Sequence, residues 1–376
     1  MTYEIIKYSS DLSGEVARLQ TVLWSSDEDT NARYLDWKYH QNPYVQPPLV
    51  YLALAGERVV GMRGFMGSLW WIGNDRLPVP VAADLAIEPP HRDRGVFSLL
   101  MNTALRDLAG LGHRYVINLS AQRTTLVASL ATGWRVVGSL GSLGLSAGSL
   151  SSTRRLLAKM GPLASRFESI GWRILSSGAL PHPFSRLDRA ARRQSLGAIS
   201  LSATPRAEEM ARFVQTTASR ERIRHVRDQA FFEWRFCNPR TSYRFLFWDA
   251  VELRGYLVLA AGRTYDGNRF FPTVRIIDWE AADGEAESEL LSSAIAWGRF
   301  SFLEIWSTGR SERAYGLLKR HGFRPLLAEP SFRDPGASLL VRSTSSLSTQ
   351  ADWVENGARL LDIDNWDLRE AYSDHN

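Results

Sequence analysis

The stretch VAADLAIEPPHRDRGVF (residues 81–97), running straight into the helical SLLMNTALRDLAGLG, constrains this chain more than any other feature. A β-rich segment ends in Pro89-Pro90, a basic loop Arg92-Asp93-Arg94-Gly95-Val96 follows, and a helix opens out of the loop. A chain leaving a strand this way aims unpaired first-turn N–H groups and the positive end of a helix dipole at one point, which suits a diphosphate. Gly95 lets the backbone come closer to such a group than any residue with a Cβ would. The order then continues through strand Tyr115–Leu119, helix 124–132, Gly133-Trp134 and strand Val136–Gly138.

A second constraint is an internal repeat. Leu35-Asp36-Trp37-Lys38-Tyr39-His40-Gln41-Asn42-Pro43 matches Phe232-Glu233-Trp234-Arg235-Phe236-Cys237-Asn238-Pro239, with one residue fewer in the second copy. Each copy reads apolar, acid, Trp, base, aromatic, then Asn-Pro. Each precedes alternating strands, Val50–Leu54 in the first and Tyr243–Phe247 and Gly255–Ala260 in the second. At this spacing a repeat implies duplicated domains and not a solenoid. The second half keeps the order: strand Val274–Trp279, helix 286–299, strand Phe302–Trp306, helix 311–320, Gly322-Phe323. It lacks the basic loop. Glu280-Ala-Ala-Asp-Gly-Glu-Ala-Glu stands there, and its carboxylates would repel a diphosphate.

The loop and the order around it resemble the GNAT (GCN5-related N-acetyltransferase) superfamily, whose loop reads Arg/Gln-x-x-Gly-x-Gly/Ala. Here Phe97 replaces the last Gly/Ala, and Asp93 adds a negative charge. The resemblance covers residues 1–140 well and 200–345 loosely. It implies a mixed α/β (α+β) fold of two tandem GNAT-like domains, each a mostly antiparallel twisted sheet flanked by helices. The expected division is 1–145 with the pyrophosphate loop, a basic connector 146–200, a degenerate domain 201–345 and a tail 346–376.

The resemblance further implies acetyl-CoA as cosubstrate and a small-molecule primary amine as acceptor. Leu85, Ala86 and Ile87 would lie on the strand that pairs with pantetheine, and Arg92, Asp93, Arg94, Gly95, Val96 and Phe97 would hold the pyrophosphate. Direct attack on a thioester needs a neutral amine, a donor for the carbonyl and a proton for the thiolate. Asp84 matches an acidic position on that strand and is the first base candidate, with Glu88 second. Asp84 reads equally as a carboxylate closing a turn or pairing with Arg92. The family's usual acid, a Tyr four residues before Gly133, is replaced by Ser129. Tyr115, Asn118 and Ser120, on or near the neighbouring strand, are the candidate donors, with Asn118 also a candidate for binding the acceptor; Asn118 and Ser120 share a strand face by alternation. Tyr39, His40 and Asn42 fall where the fold puts the acceptor-binding helix and loop, whereas Trp37 reads better as core. The Trp-x-Tyr-x-x-Asn-Pro pattern also resembles GNAT-like proteins of bacterial polysaccharide or amino-sugar modification.

The rest narrows the classes. A chain of 376 residues suits two domains. Cys237 is the single cysteine, so neither an intrachain disulfide nor a Cys-rich zinc site is available. No apolar run is long enough to span a membrane and the N-terminus has no leader anatomy, so the default expectation is cytoplasmic. The excess charge is local: Arg154–Arg193 holds nine Arg or Lys against Glu168 and Asp188, a net +7 that leaves −2 for the remainder of a +5 chain. Within it Leu156, Met160, Leu163, Phe167, Ile170 and Ile174 form one helical stripe, interrupted by Pro162. Such a helix suits an anionic membrane surface or RNA, or packs between the domains with its charges in water. The Gly/Ser-rich GSLGLSAGSLSS before it reads as a flexible lead-in. In the tail, Asp362, Asp364 and Asp367 fail the calcium-loop pattern, because Trp366 and Ser373 stand at ligand positions. No metal and no DNA are expected. The competing classes are a non-catalytic GNAT-like binding protein and a Fem-like aminoacyl transferase.

Overall fold

Leu49–Ala55 (β2) and Arg58–Met66 (β3) are apolar almost throughout and buried on both faces, which makes them central strands with helices on either side. The computed structural model that places them describes residues 2–121, 123–146, 182–193, 198–217, 221–266, 269–326, 338–345 and 353–373. In the first half, β1 (Glu4–Lys7) precedes β2 and β3, and then come β4 (Leu69–Ile72), β5 (Asp75–Pro78), β6 (Val81–Ile87), β7 (Tyr115–Ala121), β8 (Arg135–Ser139) and β9 (Ser142–Ser146). The second half adds β10 (Ile199–Ser202), β11 (Ile223–His225), β12 (Ser242–Asp249), β13 (Leu253–Asp266), β14 (Arg269–Ala281), β15 (Phe302–Trp306), β16 (Arg324–Pro325) and β17 (Ser338–Ser343). The helices used below are α1 (Ser13–Leu19), α2 (Glu28–Leu35), α3 (Val96–Gly110), α4 (Arg123–Ala131), α5 (Ser185–Arg193), α6 (Ala207–Thr217), α7 (Gln229–Arg235), α8 (Gly284–Gly298) and α9 (Glu312–Arg320).

Two seven-stranded sheets result, and their orders correspond strand for strand: β1-β2-β3-β6-β7-β17-β8 and β10-β12-β13-β14-β15-β9-β16. The sixth position of each sheet is filled from the other half of the chain. β17 lies antiparallel between β7 and β8, while β9 lies antiparallel between β15 and β16. Ser142–Ser146, expected within a flexible lead-in, is therefore an interior strand of the second sheet. Leu143 packs into the second core, and Gly144 is required because a Cβ there would meet Leu326 and Phe302 side-chain atoms at 2.4 and 2.7 Å.

Both Gly-aromatic pairs end helices as expected. Gly133 and Gly322 take left-handed φ of 86° and 89°, and Trp134 and Phe323 return their N–H to Ser129 and Leu318. The first sheet packs α3 on one face and α1 with α2 on the other; the second packs α5, α8 and α9. A third core joins the halves and contains both repeat tryptophans, Trp37 and Trp234. Their rings stack with centroids 5.3 Å apart. Trp37 Nε1 donates to the Trp234 carbonyl at 2.8 Å, and Trp234 Nε1 donates to the Trp37 carbonyl at 2.7 Å. Such reciprocal contact is the mark of a local two-fold axis. The repeat meets itself there.

The tail closes this core. Trp353 and Trp366 are buried in it, and Trp366–Asp367 (β18) adds to a small sheet with β11, β4 and β5. Asp362 receives the Asp364 N–H, and Asp367 pairs with Arg369. Most of the basic connector, including its apolar stripe, lies outside the described residues. Its end is α5, where Asp188 binds Arg244 at 2.7 Å. Among the described residues no helix is long and apolar enough to cross a membrane.

Candidate active site

β6 and β7 are parallel neighbours that pair in register only at Val81 and Ile117. Beyond that point they part, although β6 stays paired with β3 as far as Ile87. The parting leaves the β6 edge at Leu85, Ala86 and Ile87 without a strand partner on the β7 side, and the gap between this edge and the Asn118–Ser120 stretch of β7 is the candidate cleft. A bulge accompanies it. Arg63 faces Leu85 and Gly64 faces Ala83, so Asp84 is the extra residue, with a left-handed φ of 43°. Ala82 and Ile87 pack toward α3, whereas Ala83 and Ala86 join the cores on the opposite face. The bulge turns Asp84 to that same opposite face, toward α1 and α2.

There the Asp84 carboxylate is fully occupied and its side chain has no solvent exposure. Oδ1 accepts from Lys38 Nζ at 2.8 Å and Trp24 Nε1 at 3.0 Å; Oδ2 accepts from the Tyr39 hydroxyl at 2.8 Å and Gln20 Nε2 at 3.4 Å. Neither alternative reading from the sequence describes it, since Arg92 instead donates to the Ile87 carbonyl at 3.0 Å. Two consecutive residues, Lys38 and Tyr39, reach one carboxylate because α2 continues through a wider π-type turn over Asp36–His40, closed by Gln41 N–H on the Asp36 carbonyl. The Lys38 ammonium lies 5.1 to 5.6 Å from the ring centroids of Trp24, Tyr34 and Tyr39. Lys38, Trp24 and Gln20 were not among the sequence candidates. One signal for Lys38 was there to read: the repeat carries a base at the same place in both copies, and Arg235 is buried like Lys38.

Glu88, the second base candidate, is bound by Arg18 at 2.6 Å and Arg58 at 2.9 Å. Burial pushes its pKa up, but the two guanidiniums outweigh that and hold the carboxyl below its ordinary range. Arg18, Arg58, Glu15 and Glu57 line an open surface cavity of about 370 Å³ beside it.

At the end of β6 the loop takes the form that the sequence suggested. Pro89–His91 make one tight turn, Asp93 and Gly95 are left-handed with φ of 58° and 78°, and α3 starts at Val96 with no side-chain cap on its first-turn amides. A Cβ on Gly95 would meet nothing within 4 Å, so open space lies over the helix start. Arg92, Asp93 and Arg94 are exposed around that space, Phe97 is half-buried, and the Val96 side chain is core, leaving its N–H to the loop. These residues fit a diphosphate.

The other candidates are placed variously. Asn118 Oδ1 accepts both the Ser120 N–H at 2.8 Å and the Ser120 hydroxyl at 3.1 Å, so the two do share a face. Asn42 is buried and structural, binding the Gly67 carbonyl and the Tyr44 N–H. His40 is exposed, with Nε2 3.1 Å from the Tyr8 hydroxyl just past β1, the edge strand farthest from the cleft. His40 thus bonds beside β1, while its neighbours Lys38 and Tyr39 bond Asp84.

The second sheet shows the contrast. β14 and β15 pair over Val274–Ile276 and then part in the same way. The α8 amides, however, are taken by Asp283, which accepts from Glu285 and Ala286. The tail and the segment after β11 close on the parting: Arg369 binds Glu280 at 2.9 Å and a Cβ on Gly309 would lie 2.8 Å from the Leu368 nitrogen, while Arg227, just after β11, binds Asp278 at 2.9 Å and Glu280 at 2.8 Å.

Residues 5–126 match a family model described as an acetyltransferase (GNAT) domain. No curated protein matches the chain. Among solved structures it is similar to a GCN5-related N-acetyltransferase from Anabaena variabilis ATCC 29413, with 15% identity and a TM-score of 0.54 over 92% of this chain and 73% of that one. It is also similar to a conserved protein of unknown function, a probable N-acyltransferase, from Enterococcus faecalis V583, with 11% identity and a TM-score of 0.58 over 91% of this chain and 72% of that one. A GCN5-related N-acetyltransferase from Kribbella flavida gives 15% and 0.55 over 91% and 72%. At these identities the structural likeness speaks for the fold. Together with the family match, it makes residues 5–126 a GNAT domain in a chain built on the GNAT fold.

Proposed function

We propose that the chain is an acyl-CoA-dependent N-acyltransferase, acetyl by default, that acts on a primary amine in the cleft between β6 and β7. The observation that carries the reading is the conjunction of parted strands with an uncapped, glycine-opened helix start at one end of the parting. The first-turn amides with Arg92 and Arg94 hold the diphosphate against the repulsion of Asp93, and the β6 edge at Leu85–Ile87 receives the pantetheine amides. Acyl-CoA supplies the thioester. The amine enters from the α1/α2 face beside the half-buried Trp24. Since Asp84 and Glu88 are both committed to cations, the amine gives its proton to solvent. Asp84 instead fixes Lys38, Tyr39 and Trp24 beneath the cleft, and the leaving thiolate is protonated by water. Amino sugars and other small amines head the acceptor panel.

A second reading, a GNAT-like protein that binds a ligand without turnover, is favoured by the same full occupation of Asp84 and by Ser129 in place of the usual acid. Calorimetry with acetyl-CoA on the wild type and Gly95→Trp, followed by thiol release with amines, separates the two. Binding lost in Gly95→Trp with thiol released supports the transferase; binding without release supports the second reading; no binding to either protein sinks the acyl-CoA assignment.

A further inference from the structure

The residue after the Asn-Pro of each repeat crosses to the opposite half. Both asparagines make the same turn, Asn42 Oδ1 receiving the Tyr44 N–H and Asn238 Oδ1 the Arg240 N–H. Tyr44 thereby reaches the second half, where its hydroxyl bonds the Val226 carbonyl and Asp228, both at 3.0 Å. Arg240 makes the corresponding reach into the first half and, among the described residues, finds only ring faces. Its guanidinium lies 4.4 Å from the Trp24 ring centroid and 4.8 Å from that of Tyr34.

Arg240 is half-buried, and among the described residues its guanidinium has no ion-pair partner. A guanidinium stacked on rings is fixed in orientation while the N–H groups in its plane stay available for a bidentate anion. It sits one indole away from Asp84, because Trp24 carries Arg240 on its face and bonds Asp84 through Nε1. Lys38 and Asp84 cancel each other's charge, so the cluster is left with one net positive charge at the mouth that the amine would use.

Building on the N-acyltransferase reading, we infer that Arg240 is a specificity residue and that the acceptor amine carries a second, anionic group, a carboxylate or a phosphate, which the guanidinium binds. The second half, which has no cradle of its own, thus supplies the selectivity of the first.

The test compares twin acceptors by thiol release at saturating acetyl-CoA: L-amino acids against their amides, and O-phosphoethanolamine against ethanolamine. At least one anionic twin is expected to show a KM tenfold or more below its neutral partner, and the arm that shows it names the group. Arg240→Gln should collapse that ratio toward one, with the loss in KM rather than kcat, and Arg240→Lys should restore part of it. Acetyl-CoA affinity of each variant checks the fold, and if Arg240→Gln loses it the Arg240→Lys ratio decides. A wild-type ratio near one in both arms, or a ratio that survives in Arg240→Gln, overturns the inference while leaving the transferase standing. Thiol release from no amine at all takes down the transferase reading and this inference with it.

Discussion

Asp84→Asn is the sharpest probe of the buried cluster. The Lys38 and Asp84 side chains are both without solvent exposure, with Nζ and Oδ1 2.8 Å apart. Breaking such a pair by removing one charge leaves an ammonium desolvated and uncompensated, a cost of about 3–5 kcal/mol. Asn isolates that cost. It matches Asp in size, and it tolerates the left-handed φ of 43° that most side chains resist. The substitution should lower the folded-to-unfolded ratio by about two to three and a half powers of ten, each power being ~1.4 kcal/mol. Adding Lys38→Met removes the stranded charge and should recover most of the loss, leaving the double variant within about 2 kcal/mol of wild type. Urea unfolding read by tryptophan fluorescence and far-UV dichroism gives both numbers, provided the two transitions coincide. A single variant within about 1 kcal/mol of wild type would refute the reasoning. So would a double variant no more stable than the single.

Gly95→Ala meets no steric barrier but must hold a φ of 78°, so thermal unfolding should show a loss of about 1–2 kcal/mol together with weaker acetyl-CoA binding. Gly144→Val puts branched atoms into Leu326 and Phe302, and a loss of about 2 kcal/mol or more in urea is expected where a loop residue would show almost none. The Glu304 carboxyl is pushed up to about 7 by burial and then by Glu370, against the pull of Arg275. Its proton is therefore held more tightly folded than unfolded, and stability falls as pH rises from about 4.5 to 7 and levels off above. Glu304→Gln should remove that slope, flattening the melting temperature against pH by an amount worth up to about 3 kcal/mol.

The strands and helices around the cradle were legible because their periods are clean and glycines end the helices, as at Gly133 and Gly322. The backbone form of the loop was legible because only glycine takes the φ of 78° that begins α3 without strain. The role of Asp84 was not. Its face depends on a one-residue bulge, and its partners Gln20, Trp24, Lys38 and Tyr39 lie 45 to 64 residues away in sequence. Strand β9 hid for a related reason. Ser, Gly and two leucines read as a loop, and no local pattern says which sheet a short strand will join.

The exchange of β9 and β17 bears on why a half without a cradle is kept in the cleft's structure at all. β17 runs beside β7 with Leu340 opposite Asn118 and Ser338 opposite Ala121, and the register slips between them, along the lip that carries Asn118 and Ser120. Leu340 also completes the core under α3, beside Trp134 and Val116. Without the second half, β7 would end as an unpaired edge and that core would lose its cover. In return β9 seals β15 and β16. Neither sheet closes with its own residues, and the Trp37–Trp234 pair buries what remains between them. A cut through the connector would thus leave two fragments that bind each other, not two domains that fold alone, and the cleft would form only in their complex.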